Sequence, residues 1–328
     1  GYVCLCSNRA SVRGIPSVSQ LPTWDMDPLT YRTIAVNDVE LAVSVTNEGG
    51  ERGLALLLHG FPELAFSWRY QITALAAAGY EVWAPNLRGY GESSKPPKVA
   101  DYSMEFLLAD IAALIDASGR DEVTLVGHDW GAVQAWMFAI RRVRPLQRLV
   151  IMNVPHPACM RRELRGVRQL LKSWYVFFFQ IPWLPEKLLC ARRAKAVGDA
   201  FTKSAVDRSR FPDEVTDVYR AAALRPGAMR SMINYYRAAL RGGRAAAGEE
   251  LPVIETPTLL VWGLEDVALS KETTDGTDDH VADLTMRFLP GVSHWVQQEA
   301  PEVVNTMLLA WLDGQPVPEA SEVDVERL

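Results

Sequence analysis

Val123-Thr124-Leu125-Val126-Gly127-His128-Asp129-Trp130-Gly131 is the stretch whose reading decides the fold. An apolar, β-branched run leads into a turn with glycines two residues before and after Asp129, and Ala132 to Ile140 then has helix composition. The local expectation is strand, sharp turn, helix, with Asp129 at the apex in a strained conformation that exposes its side chain. An aspartate there selects the chemistry, because a carboxylate attacks an alkyl carbon to make an ester, whereas a serine attacks an acyl carbon. Taken alone, Asp129 reads equally well as the N-cap of the following helix.

Outward from this turn, short apolar runs bounded by turn residues recur at Leu54 to Leu58, Glu81 to Pro85, Val123 to Val126 and Leu149 to Met152, separated by helical stretches. That alternation predicts a parallel sheet with helices on both faces. It is preceded by Arg32 to Val36 and Val39 to Val45 around Asn37-Asp38, an antiparallel hairpin. The alternation stops after Pro155-His156-Pro157 and resumes at Thr258 to Trp262 and Thr285 to Leu289. Between them, helical spacing punctuated by Pro182, Pro185, Pro212 and Pro226 predicts an all-helical cap over the carboxyl ends of the strands, where open α/β sheets bind ligands. The domain reading is a flexible leader over 1–21, a core over 22–157 and 252–313, a cap over 158–251 and a flexible tail over 314–328.

Partners for Asp129 follow the same strand ends. His59-Gly60-Phe61-Pro62 comes directly after an apolar strand, so the backbone N–H groups of Phe61 and Trp130 are candidates for an oxyanion hole. Asp266 follows the strand Thr258 to Trp262, and His294 follows the last strand. The order nucleophile, acid, base assigns His294 as general base and Asp266 as the residue orienting it. Glu265 is the rival to Asp266. His59, His128 and His156 read as structural residues, and His280, in a polar acidic stretch, as exposed.

The 328 residues, 48% hydrophobic, suit one extended domain with an insertion. A net charge of −6 argues against nucleic acid as a partner. From Arg161 to Glu250 there are 18 Lys and Arg against 9 Asp and Glu, so the cap is basic and the remainder acidic. Cysteines 4, 6, 159 and 190 form neither a disulfide framework nor a metal-ligand spacing; no cofactor or metal is expected, and a reducing, cytoplasmic setting is. No apolar run is long enough to span a bilayer. The aromatic run Trp174 to Leu184 reads as a pocket lining, with weak peripheral membrane contact as the alternative.

From about Tyr31 to Leu312 the chain resembles the epoxide hydrolases of the α/β-hydrolase fold. The resemblance is carried by HGFPE at 59–63, SWRYQ at 67–71, RGYGESSKP at 88–96, GHDWGA at 127–132 and SHW at 293–295. It implies a mostly parallel sheet with helices on both faces and a helical cap inserted before the last strands. It also implies two cap tyrosines that protonate the epoxide oxygen, and similar segments hold Tyr175, in WYVFFFQIPW, and Tyr236, in NYYR, with Tyr235 the rival to Tyr236. Phe61, Trp130, Phe179 and Trp295 are the implied pocket residues.

Haloalkane dehalogenases share the aspartate and histidine, but they often place Asn or Trp after His-Gly, where this chain has Phe61. Fluoroacetate dehalogenases carry Arg where it has Trp130. The implied reaction converts an epoxide and water to a vicinal diol through an ester on Asp129. The alternatives are a haloalkane dehalogenase or a non-catalytic ligand-binding relative.

Overall fold

A computed structural model describes residues 29–164, 172, 174–242 and 251–325; the expected leader over 1–21, with Cys4 and Cys6, lies outside the described residues. Eight strands form one sheet: β1 (Thr30–Val36), β2 (Val39–Thr46), β3 (Leu54–Leu58), β4 (Glu81–Pro85), β5 (Val123–His128), β6 (Arg148–Met152), β7 (Thr258–Gly263) and β8 (Leu284–Leu289). Their spatial order is β1-β2-β4-β3-β5-β6-β7-β8. β1 and β2 form the hairpin predicted around Asn37-Asp38, with Val36 opposite Val39 and Asn37 at φ 49°. β2 runs antiparallel to β4, and every pairing beyond it is parallel.

The helices are α1 (Arg69–Ala77), α2 (Met104–Ser118), α3 (Trp130–Ile140), α4 (Pro157–Glu163), α5 (Trp174–Phe178), α6 (Leu184–Ser204), α7 (Asp213–Ala223), α8 (Ala228–Gly242), α9 (Val296–Glu299) and α10 (Pro301–Leu312). Helices cover both sheet faces, so the central strands are apolar on both sides. Leu54, Leu56 and Leu58 join Val123, Leu125, Leu149 and Ile151 in one core, while Ala55, Leu57, Val126 and Val150 join the α10 residues Val304, Met307 and Leu308 in the other. This division is the two-residue strand period expressed as two cores.

All described elements between β6 and β7 are helical, α4 through α8 with one 3₁₀ turn. Phe179, Phe201, Tyr219, Met232, Ile233 and Tyr236 from this insertion belong to the same core as Leu58 and Trp262, so the cap continues the apolar packing of the sheet. Within the described part of the tail beyond residue 313, one point rests against the sheet. Val317 is buried, and Arg287 of β8 donates to the carbonyls of Val317 and Pro318 at 3.2 and 3.0 Å.

Candidate active site

At the end of β5 the chain turns sharply through Asp129, whose φ of 49° and ψ of −121° lie outside the regions a non-glycine residue prefers. The glycines make the turn possible. A Cβ on Gly131 would sit 2.0 Å from the Leu58 carbonyl oxygen, and one on Gly127 would meet Gly131 at 2.6 Å. The Asp129 side chain makes no capping bond to α3, which removes the reading of Asp129 as a helix cap. Its Oδ1 instead accepts from the Phe61 N–H at 2.7 Å. Trp130 is the first residue of α3, so its N–H is one of the four at a helix start that have no partner within the helix.

The loop carrying Phe61 is held from beneath. Fully buried Glu63 accepts from the Gly60 N–H at 2.8 Å and from the side-chain amides of Gln297 and Gln298 at 2.9 and 2.8 Å. The His128 ring bridges Glu63 Oε2 and the His294 carbonyl oxygen, each at 2.8 Å. His59 Nε2 accepts from the Leu87 N–H at 3.0 Å, and burial pushes the pKa of this histidine down to about 4. Both histidines therefore tie loops together. Glu63 went unassigned in the sequence, although HGFPE contains it; nothing local signals that it reaches the helix after His294.

His294, in the loop after β8, stands between two carboxylates. Its Nδ1 lies 2.6 Å from Asp266 Oδ2 and its Nε2 3.6 Å from Asp129 Oδ2. Asp266 is positioned in turn by the N–H groups of Ala268 and Leu269, at 2.7 and 2.9 Å, and by the Asn153 side chain at 2.8 Å. Glu265, its rival, is exposed and accepts from the Gly291 N–H. Asn153 was not picked out from sequence, yet it sits at the end of β6 at φ 49° and also accepts from the Gly263 N–H at 2.9 Å.

Burial opposes charge on all three groups, and their mutual attraction outweighs it. Burial would raise the Asp129 carboxyl, but His294 holds its pKa below the ordinary value. Asp266 is likewise raised by burial and lowered more by His294 and Asn153. Burial would lower His294, but Asp266 and Asp129 hold it well above the ordinary histidine value. The arrangement is an imidazolium between two carboxylates.

Over this group lies a cluster of aromatic rings from both core and cap. Tyr236 packs edge-on against Trp130 at 5.0 Å, Phe61 at 5.4 Å and Phe179 at 4.9 Å, and Tyr175 stands 5.9 Å from Tyr236. Burial, and after it the Asp129 charge, raises the pKa of both tyrosines, so both are protonated at neutral pH. Tyr235 turns the other way and donates its hydroxyl to the Arg88 carbonyl at 2.7 Å.

Trp295, expected in the pocket wall, packs between His294, whose ring lies 5.0 Å away, and the cap. Its ring lies 4.4 Å from Phe201, and Nε1 donates to Ser204 Oγ at 2.8 Å. His280 is not simply exposed either, since it stacks on His156 at 4.6 Å.

Fold and site define an α/β hydrolase with an aspartate at the sharp turn after β5. The sequence matches the family model of the alpha/beta hydrolase fold over residues 55–301. It is 36% identical over 294 residues to an AB hydrolase superfamily protein of Bacillus subtilis, spanning 88% of this chain and 100% of the relative. It is 36% identical over 271 residues to epoxide hydrolase 4 of Homo sapiens, spanning 80% and 74%.

Among solved structures, an epoxide hydrolase of Bacillus megaterium in complex with an inhibitor superposes with a TM-score of 0.79 at 29% identity, covering 86% of this chain and all of that one. A Vigna radiata epoxide hydrolase mutant gives 0.77 at 26% identity, covering 88% and 100%. The chain belongs to the epoxide hydrolases of the α/β-hydrolase fold.

Proposed function

We propose that the protein hydrolyses small-molecule epoxides to vicinal diols through a covalent ester on Asp129. The observation that carries this reading is the Phe61 N–H bond to Asp129 Oδ1, which leaves Oδ2 as the attacking atom. Oδ2 attacks one epoxide carbon, the carbon–oxygen bond breaks, and Tyr175 or Tyr236 gives its proton to the departing alkoxide. Oδ1 becomes the ester carbonyl oxygen, already in contact with the donor that stabilises it.

The second half regenerates the enzyme. Water attacks the Asp129 carbonyl carbon, and His294 takes the water's proton while Asp266 stabilises the imidazolium. The N–H groups of Phe61 and Trp130 hold the tetrahedral oxyanion. Collapse releases the diol and restores the carboxylate beside a protonated His294, which had given its earlier proton through solvent to the tyrosinate once the ester removed the Asp129 charge. No step calls for a metal or an organic cofactor.

Incubation with styrene oxide, with a haloalkane as control, tests the reading. Diol without halide release is expected, and no diol from Asp129→Ala. A His294→Gln variant should accumulate protein heavier by the mass of one epoxide. Full diol production by Asp129→Ala overturns the mechanism, and halide release without diol overturns the substrate class.

No described helix is long and apolar enough to cross a membrane. We infer instead that the cap's outer face touches anionic lipid surfaces. Trp174, Phe177, Trp183 and Leu188 are 63%, 53%, 69% and 51% exposed, and Lys187, Arg192 and Arg193, close to them in sequence, are exposed too. Aromatic and basic side chains together suit a headgroup interface. Co-flotation with phosphatidylserine vesicles, lost in Trp183→Glu, is expected; no flotation with any vesicle excludes it. The scatter of the four cysteines along the sequence supports a reducing, cytoplasmic setting.

A further inference from the structure

At the root of the cap, away from the aspartates and His294, three metal-binding side chains meet. His156 stands between Pro155 and Pro157 and caps α4, its Nδ1 accepting from the Ala158 N–H at 3.3 Å. Cys159 is three residues further, on the same side of the first turn. His280 arrives from the β7–β8 connection, where the Ile254 N–H donates to its carbonyl at 2.9 Å and anchors the backbone. An imidazole nitrogen of each histidine and the Cys159 sulfur lie within 4.8 Å of one another.

This cluster is poorly satisfied as it stands. His156 is fully buried, and its Nε2 has no hydrogen-bond partner among the described residues. With Nδ1 accepting, the neutral ring carries its proton on Nε2, a buried donor facing no acceptor. The Cys159 sulfur is also buried, with Thr277 Oγ1 at 3.9 Å. Arg162, on the next turn of the helix, is engaged by Glu163 and the Asp275 carbonyl. A buried nitrogen without a partner is costly, and a metal ion on Nε2, with the ring proton moved to Nδ1 and the 3.3 Å Ala158 contact given up, is one way to satisfy it.

We propose that His156, Cys159 and His280 bind a borderline-soft divalent cation of the Zn²⁺ class. Two imidazoles and a thiolate are the donors such ions prefer, and water can complete a tetrahedron. Zinc bonds of about 2.3 Å to sulfur and about 2.0 Å to nitrogen place the ligands about 3.5 Å apart. Side-chain rotation therefore has only about 1 Å to close. Binding displaces the thiol proton to solvent.

The position gives the ion a consequence. α4 is where the chain leaves the sheet for the cap, and His280 closes the connection that begins at Asp266 and includes its N–H donor Leu269. An ion there ties the cap root to the loop of the catalytic acid. It stabilises the folded chain by mass action without touching the reacting atoms.

The test uses the 328-residue chain, stripped with a chelator and titrated with Zn²⁺ against a chromogenic competitor, and separately with Co²⁺. Expected are one ion per chain, a thiolate-to-cobalt charge-transfer band and a Zn²⁺-dependent rise in Tm. Cys159→Ser, nearly isosteric, and His280→Ala at a half-exposed site should each weaken Zn²⁺ affinity by about tenfold or more and abolish the Tm rise. No binding overturns the proposal. So does binding unaffected by both variants, which assigns the ion to Cys4 and Cys6 or to the catalytic residues.

Discussion

Replacing Asp129 by asparagine reproduces the electrostatics of the ester intermediate, because it removes the carboxylate charge and keeps the shape. In the free enzyme His294 has Asp266 at 2.6 Å on one nitrogen and Asp129 at 3.6 Å on the other. Unit charges at the latter distance, with an effective dielectric constant of about 20, attract by about 4–5 kcal/mol. That energy is about a thousandfold in proton affinity. The Phe61 N–H further requires an acceptor, so the asparagine oxygen faces Phe61 and its NH₂ faces His294 Nε2, which favours the neutral ring.

In Asp129→Asn, then, His294 should need about a thousandfold higher proton concentration to stay charged, read from its imidazole ¹⁵N resonances. Esterification would have the same effect, so His294 becomes a base only once Asp129 is alkylated. Stability follows with a definite sign. Above the ordinary histidine pKa of about 6.5 and below the raised folded value, the native state keeps a proton the unfolded chain has lost. Wild-type stability therefore falls as pH rises through that window, and the fall should shrink in Asp129→Asn, measured as Tm against pH. Identical His294 titrations in the two proteins would refute the coupling.

Tyr175→Phe and Tyr236→Phe should each slow ester formation in single-turnover experiments by about 10- to 100-fold, the double variant should abolish it, and hydrolysis of a preformed ester should be unchanged. Tyr235→Phe should leave the rate within a few-fold and cost about 1–3 kcal/mol in urea unfolding, because it orphans the buried Arg88 carbonyl. Gly131→Ala forces a Cβ onto the Leu58 carbonyl and should destabilise by about 3 kcal/mol, visible as lost soluble yield. Asn153→Ala removes a donor from Asp266 and an acceptor from Gly263; steady-state turnover should drop while the burst of ester formation survives.

What could be read from the chain was local or governed by strand ends. The strand from Val123, the turn at Asp129 and its flanking glycines are contiguous, and β7 and β8 deliver Asp266 and His294 to the same sheet edge because parallel strands end together. Contacts across long separations were not legible. Trp295 follows His294 and reads as a pocket residue, yet its direction is set by Phe201 and Ser204 in the cap. His280 looked exposed because its neighbours are polar, while the ring that covers it belongs to His156. Glu63 and Asn153 carry no local mark, since their worth lies in what other loops bring to them.

The division between core and cap bears on how such an enzyme acquires its substrate range. Both carboxylates that handle the ester have backbone donors: Asp129 the Phe61 N–H, Asp266 the Ala268 and Leu269 N–H groups. Side-chain substitution cannot remove these donors, except to proline, so the hydrolytic half is insulated from change in the pocket. The proton donors are different. Tyr175 and Tyr236 are side chains on α5 and α8, steered by ring contacts with Phe61, Trp130 and Phe179. Ring contacts are weakly directional and each is worth about 0.5–1.5 kcal/mol. Altering Phe179 therefore re-aims the proton donors without disturbing Asp129, which makes it the position where choice of epoxide carbon should shift while the ester still turns over.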